Sequence, residues 1–206
     1  MLEAKALACE RGGRRLFGGI SIALEPGALV RVRGPNGSGK TSLLRILAGL
    51  TRPAEGEARW RGAPIAELAE AYGAEMLFLG HAPGVKAELT AAENLAFALR
   101  LAGIAAGERE VREALARWGV GAQAGLPARV LSEGQRRRVA LARLALASRV
   151  PLWLLDEPFA ALDEDGVGLL RERLATHLAA GGMAVLTSHQ EIALAARRVH
   201  TVALGA

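Results

Sequence analysis

A chain of 206 residues, 51% apolar and 23% charged, has the size and composition of one folded domain with a real core. This excludes a disordered protein, and no apolar run approaches the roughly eighteen residues of a membrane span. The formal net charge of +5 comes from arginines spread along the chain, densest at Arg136-Arg137-Arg138, which favours a solvated helix face, or a surface facing nucleotide or acidic lipid, over a nucleic-acid patch.

The single cysteine, Cys9, excludes an internal disulfide framework and suits a reducing compartment. Met1-Leu2-Glu3-Ala4-Lys5 lacks the charged-then-apolar layout of a secretion signal, so a cytoplasmic, soluble polypeptide is expected.

Strand and helix signals alternate along the chain, as in an α/β domain. Strands are expected over Leu2–Ala8, Ile20–Leu24 and, after the Glu25-Pro26-Gly27 turn, Ala28–Val32. A helix follows from Ser42 through Leu47, then strands over Gly56–Trp60 and Met76–Leu79. From about 82 to 149 the pattern reads as helical throughout, which suggests an inserted helical subdomain. Thr90-Ala91-Ala92-Glu93 has capping-box spacing and starts a helix toward Leu101. Val111, Leu115 and Trp118 mark a second helix that Gly119 stops. A third begins at Ser132, again with a capping-box partner, Gln135. Leu152–Leu155 and Met183–Thr187 are continuously apolar, as strands covered on both faces tend to be. Between them Leu170, Leu174 and Leu178 line a long helix that ends at Gly181-Gly182.

Gly34-Pro35-Asn36-Gly37-Ser38-Gly39-Lys40-Thr41 fits the G-x-x-x-x-G-K-[ST] phosphate-binding pattern, with a strand before it and a helix after it. Glycines let backbone N–H groups turn inward around phosphate oxygens, and the helix N-terminus adds partial positive charge. Lys40 is expected to reach the β- and γ-phosphates, and the Thr41 hydroxyl to ligate Mg²⁺. Lys5, Lys40 and Lys86 are the only lysines among 26 Lys and Arg residues, so a lysine here stands out in an arginine-rich chain. The strand Leu152–Leu155 ends in Asp156-Glu157, and a strand's C-terminal end is where α/β sheets bind ligands. Asp156 is expected to hold Mg²⁺ and Glu157 to polarise the attacking water. Leu131-Ser132-Glu133-Gly134-Gln135 opens a helix with a hydroxyl and free N–H groups, a second anion site. One chain needs only one γ-phosphate site, so the pair suggests two chains arranged head to tail.

In order and spacing these elements resemble the ATP-binding cassette (ABC) ATPases over nearly the whole chain. Gly34–Thr41, with Ser42 after it, resembles the Walker A motif, and Leu131–Gln135 the signature motif. Leu152–Asp156 with Glu157 resembles the Walker B strand and catalytic glutamate, Ala160–Asp163 the D-loop, and His189 the switch histidine. The resemblance implies a P-loop NTPase fold: a RecA-like mixed sheet core, an antiparallel β subdomain and an inserted α-helical subdomain. It implies one ATP-binding domain over 1–206, with the helical part at about 82–149. It also implies ATP with Mg²⁺, a homodimer on ATP binding, and His189 contacting the γ-phosphate.

Two positions depart from the family pattern. His81 stands where a glutamine normally links nucleotide to a membrane subunit; its imidazole can still ligate metal or hydrogen-bond water. The adenine-stacking aromatic normally lies about two dozen residues before the loop, a register that falls near Arg11, whose guanidinium plane can stack on a base. Phe17 is the alternative. The segments Leu2-Glu3-Ala4, Cys9-Glu10-Arg11, Leu16-Phe17, Gly80–Lys86, Leu89–Leu95 and Asp156–Phe159 look like the ATP-binding subunit of the bacterial cytochrome c maturation haem exporter (the CcmA family). That resemblance implies a peripheral protein on the cytoplasmic face of the inner membrane. Its implied partners are integral membrane permease subunits and cytochrome c maturation components including a haem chaperone. It leaves open whether ATP drives haem movement or chaperone release. Another ABC exporter or importer would share every catalytic motif.

Overall fold

The computed structural model describes residues 1–188 and 193–205. The chain divides into two compact units, one of 1–81, 150–158 and 175–206, the other of 82–149 and 159–174.

The first unit holds two sheets. In the antiparallel one, β1 (Leu2–Arg11), β2 (Arg14–Leu24), β4 (Glu55–Trp60) and β5 (Ala63–Pro64) lie in the order β2-β1-β4-β5. In the parallel one, β3 (Ala28–Arg33), β6 (Met76–Leu79), β7 (Leu152–Leu155), β8 (Met183–Thr187) and β9 (Arg198–Ala203) lie in the order β6-β7-β8-β3-β9. Every residue of β7 and of β8 is buried, which is why both sequences are uninterrupted apolar runs. The helix α1 (Lys40–Leu47) turns Leu43, Leu44, Ile46 and Leu47 into a core shared with Leu2, Leu7 and Leu24 of the antiparallel sheet and Val30, Leu154 and Val185 of the parallel one. Each of those leucines, fully buried, contributes about 1.5–3 kcal/mol of apolar transfer energy.

Three elements differ from the sequence expectation. β1 runs on to Arg11 and returns as β2 from Arg14, rather than stopping at Ala8 and resuming at Ile20. The reason is the turn: Gly12 and Gly13 both take positive φ (58° and 75°), the two-residue geometry that closes a twisted hairpin. The helix α2 (Ile65–Ala74) has no clear apolar period. It buries only Ile65 and Tyr72, and Ala69 breaks it at φ 41°, ψ −115°.

The second unit contains α3 (Ala91–Leu101), α4 (Glu108–Arg117) and α5 (Glu133–Leu141), with α6 (Glu164–Ala179) beginning in it. Its core gathers Leu95, Leu99, Val111, Leu115, Trp118, Val139, Leu141 and Leu144, all buried. The segment 82–90 is not helical, against the expectation of helix throughout. Pro83 and Gly84 disfavour helix there, and the buried Asn94 side chain takes up its backbone instead. Asn94 Nδ2 donates to the carbonyls of Lys86, Leu89 and Thr90, and its Oδ1 accepts from the Lys86 N–H at 2.7 Å.

Candidate nucleotide site

The segment between β3 and α1 folds tightly because its glycines reach conformations closed to other residues. A Cβ on Gly34 (φ 153°) would lie 2.5 Å from the Leu204 carbonyl and 2.6 Å from Ser38 Oγ. On Gly39 (φ 98°) it would meet the Phe17 ring at 2.9 Å. Gly39 is the N-cap of α1, so the helix starts without a side-chain cap and its first N–H groups face the loop. Ser38 Oγ is buried and has no hydrogen-bond partner among the described residues. Lys40 is 8% exposed, and its ammonium donates to the carbonyls of Gly34 (2.8 Å) and Pro35 (3.1 Å), across the loop it closes.

The strand order brings the acidic pair to this loop. Asp156 directly follows β7, and its N–H donates to the Leu79 carbonyl of β6 at 2.8 Å. The Thr41 hydroxyl donates to Asp156 Oδ2 and the Thr187 hydroxyl to Asp156 Oδ1, both at 2.7 Å. Thr187 in turn accepts the Glu157 N–H at 2.7 Å. Glu157 sits at φ 47°, a backbone conformation uncommon for a residue with a side chain, so its orientation depends on that hydrogen bond.

Thr187 is the residue that sequence reasoning missed as a site member. Parallel pairing sets Leu155 beside Leu186 and Val32 beside Thr187, so the last residue of β8 stands next to the residue after β7. A hydroxyl closing an otherwise apolar strand was the available signal.

A cleft of about 530 Å³ opens on this loop, lined by Arg11, Leu16, Asn36, Gly37, Gly39, Lys40, Thr41, Ser42 and His81. Of the two candidates for stacking on a base, Arg11 lines the cleft, whereas Phe17 is buried under Gly39. His81 lines the same cleft as Lys40 and Thr41. Among the described residues no three His, Cys, Asp or Glu side chains gather as a metal cage. The donor set of one hydroxyl and one carboxylate fits Mg²⁺, which keeps waters and is commonly held by a carboxylate together with substrate phosphates. His189 lies outside the described residues.

Ser132, Gly134 and Gln135 belong to the second unit. Ser132 caps α5: its Oγ accepts the Gln135 N–H at 3.1 Å, and Gln135 Oε1 accepts the Ser132 N–H at 2.9 Å. A Cβ on Gly134 would stand 3.0 Å from the Ala161 carbonyl, so a side chain there would crowd the loop that follows Phe159. In that loop Asp163 accepts the Gly166 N–H and an Arg138 guanidinium N–H. Those two hydrogen bonds, the first the larger, hold its carboxyl below the usual aspartate range.

A parallel sheet carrying a glycine loop, an invading lysine and a strand-end Asp-Glu pair defines a P-loop ATPase of the ATP-binding cassette class. The chain belongs to the ABC transporter family, whose model matches residues 17–160, and within it to the CcmA group of cytochrome c biogenesis ATP-binding export proteins. It is 54% identical to the protein of that name from Methylococcus capsulatus, over 93% of this chain and 92% of the relative. The Escherichia coli K12 protein of that name is 46% identical, over 99% and 96%. Among solved structures, a putative ABC transporter ATP-binding protein from Pyrococcus furiosus superimposes with a TM-score of 0.82 at 26% identity, covering 97% of this chain and 96% of that one. The ATP-binding cassette MJ0796, solved as a dimer in a post-hydrolysis state bound to ADP and Pi, gives 0.77 at 27% identity, covering 92% and 88%.

Proposed function

We propose that this chain hydrolyses ATP as a homodimer on the cytoplasmic face of the inner membrane and drives the haem exporter of cytochrome c maturation. The observation that carries the catalytic part is the hydrogen-bonded run Thr41–Asp156–Thr187–Glu157, which ties the phosphate loop to the strand-end carboxylates. In this reading backbone N–H groups of 34–42 and the Ser38 hydroxyl receive the phosphates, and Lys40 exchanges its two loop carbonyls for β- and γ-phosphate oxygens. Thr41 and Asp156 would hold Mg²⁺, which when bound neutralises charge developing on the transferred phosphoryl group. Glu157, its backbone pinned by Thr187, orients and deprotonates the attacking water. Arg11 stacks on the base, His81 hydrogen-bonds water or metal at the cleft wall, and His189 serves as the γ-phosphate contact.

The Ser132 helix tip, with Gly134 and Gln135, acts on nucleotide held by the second copy. The dimeric MJ0796 relative supports a paired arrangement, and the names of the relatives support an export role in cytochrome c biogenesis. Integral membrane permeases and a haem chaperone are the partners on this reading, with nucleic acid excluded. Glu157→Gln is the test. The variant is expected to bind ATP, accumulate as an ATP-bound dimer on size exclusion and lose nearly all turnover. Purified from membranes in that state, it is expected to carry cytochrome c assembly permeases. Normal hydrolysis by the variant defeats the catalytic assignment, and recovery of unrelated permeases defeats the haem assignment alone.

A further inference from the structure

A second cleft, of about 340 Å³, adjoins the phosphate cleft and shares Arg11, Thr41 and Ser42 with it. Its remaining lining is Cys9, Glu10, Arg45 and Thr51, drawn from β1, α1 and the turn after α1. The volume is in the range of small-molecule sites, about 300–1,000 Å³. Its chemistry is unusual for a base pocket, because among the described residues neither cleft is lined by Phe, Tyr or Trp. It offers two guanidinium forks, Arg11 and Arg45, and one carboxylate, Glu10. Arg45 is exposed on the last turn of α1, with Nε aimed at Thr51 Oγ1 at 3.4 Å.

We propose that this second cleft is the nucleobase subsite, that Arg45 and Glu10 read the purine edge by hydrogen bonds, and that the chain therefore accepts GTP about as well as ATP. The proposal rests on the nucleotide reading above and adds the residues that choose the base. Phosphates on Thr41 and Ser42 leave the sugar and base to extend along the shared wall into this cleft. A guanidinium donates to both N7 and O6 of guanine, and to N7 of adenine, whose N6 amino group finds its acceptor in a carboxylate. Guanine offers the same carboxylate its N1–H and N2 amino group, so either purine satisfies both the guanidinium donors and the carboxylate acceptor, and the pair does not select between them.

The test is titration calorimetry of the full-length protein with Mg²⁺ and three probes: ATP, GTP and inorganic tripolyphosphate. Wild type is expected to bind ATP and GTP within about threefold of one another, and Arg45→Ala to weaken both by about tenfold, the size of one lost base contact, with tripolyphosphate unchanged. Arg45→Lys keeps the charge but not the fork, and is expected to follow Arg45→Ala for GTP. An ATP preference above roughly thirtyfold overturns the proposal. So does an Arg45→Lys protein indistinguishable from wild type, or an Arg45→Ala protein that loses tripolyphosphate equally, since Arg45 then acts through charge on the phosphates. Failure of wild type to bind even tripolyphosphate overturns the nucleotide reading itself, whereas tripolyphosphate binding without any response to the base overturns only the subsite.

Discussion

Thr187 links the two halves of the chemistry, since one hydroxyl both donates to Asp156 and accepts from the Glu157 N–H. It is fully buried, so no solvent can replace either bond. Thr187→Val keeps the shape and leaves the Glu157 N–H without its acceptor, at a cost of about 1–3 kcal/mol. Glu157 then loses the contact that holds its left-handed backbone. The variant is expected to show a lower unfolding midpoint in denaturant and a fall in kcat larger than any rise in KM for ATP. Unchanged kcat in a folded Thr187→Val protein would separate the hydrogen bond from Glu157 positioning. Lys40 and Thr41 were legible as candidate site residues because their pattern is local. Thr187 was not, because its partners are 30 and 31 residues away in sequence.

The three helix starts with a residue of the right kind in the right place show how much an element owes to its first turn. Thr90 and Ser132 both form complete capping boxes, as their spacing to Glu93 and Gln135 anticipates. Gly107 begins α4 with only the Glu110 carboxylate, which accepts the Gly107 N–H at 2.8 Å. Glu93 accepts from the Thr90 N–H and then the Thr90 hydroxyl, and these bonds hold its carboxyl below the ordinary glutamate range. Its folded-state value is thus depressed. The stability it adds is complete above about pH 4.3, where an unfolded glutamate is ionised, and is lost as pH falls through the lower folded value. Glu93→Gln retains an acceptor but does not titrate. The difference in melting temperature between wild type and this variant is expected to favour wild type at neutral pH and to shrink steadily below about pH 4. A constant difference across that range would show that the Glu93 charge contributes nothing to the cap.

In the proposed dimer the phosphate contacts fall to two elements, the Lys40 loop of the first unit and the Ser132 helix tip of the second. A homodimer with each tip on the other copy's nucleotide makes two composite sites from two identical chains, as two-fold symmetry requires. Copies carrying Lys40→Ala and copies carrying Ser132→Arg are each expected to be inactive. Mixed before ATP addition, they form heterodimers with one intact composite site, so the mixture is expected to regain ATPase activity absent from either alone. A mixture as inactive as its components would place both elements in one chain's site. Helical content was legible in the second unit through Val111, Leu115 and Trp118, which are buried at helical spacing. The grouping of 159–174 with that unit was not legible, since no local pattern marks a chain that leaves a unit and returns.

The sequence by itself determined what depends on neighbouring residues: the glycine loop between strand and helix, the capped starts of α3 and α5, and the apolar runs of β7 and β8. These are set by backbone sterics, side-chain reach and burial over a few residues. Only the tertiary structure decided the order β6-β7-β8-β3-β9, and with it the meeting of Thr41, Asp156, Thr187 and Glu157. It also decided that Arg11 and Arg45 line one cleft while Phe17 lies buried under the phosphate loop. Strand neighbours and register are settled by packing between distant segments, and no local pattern records which strands will lie side by side.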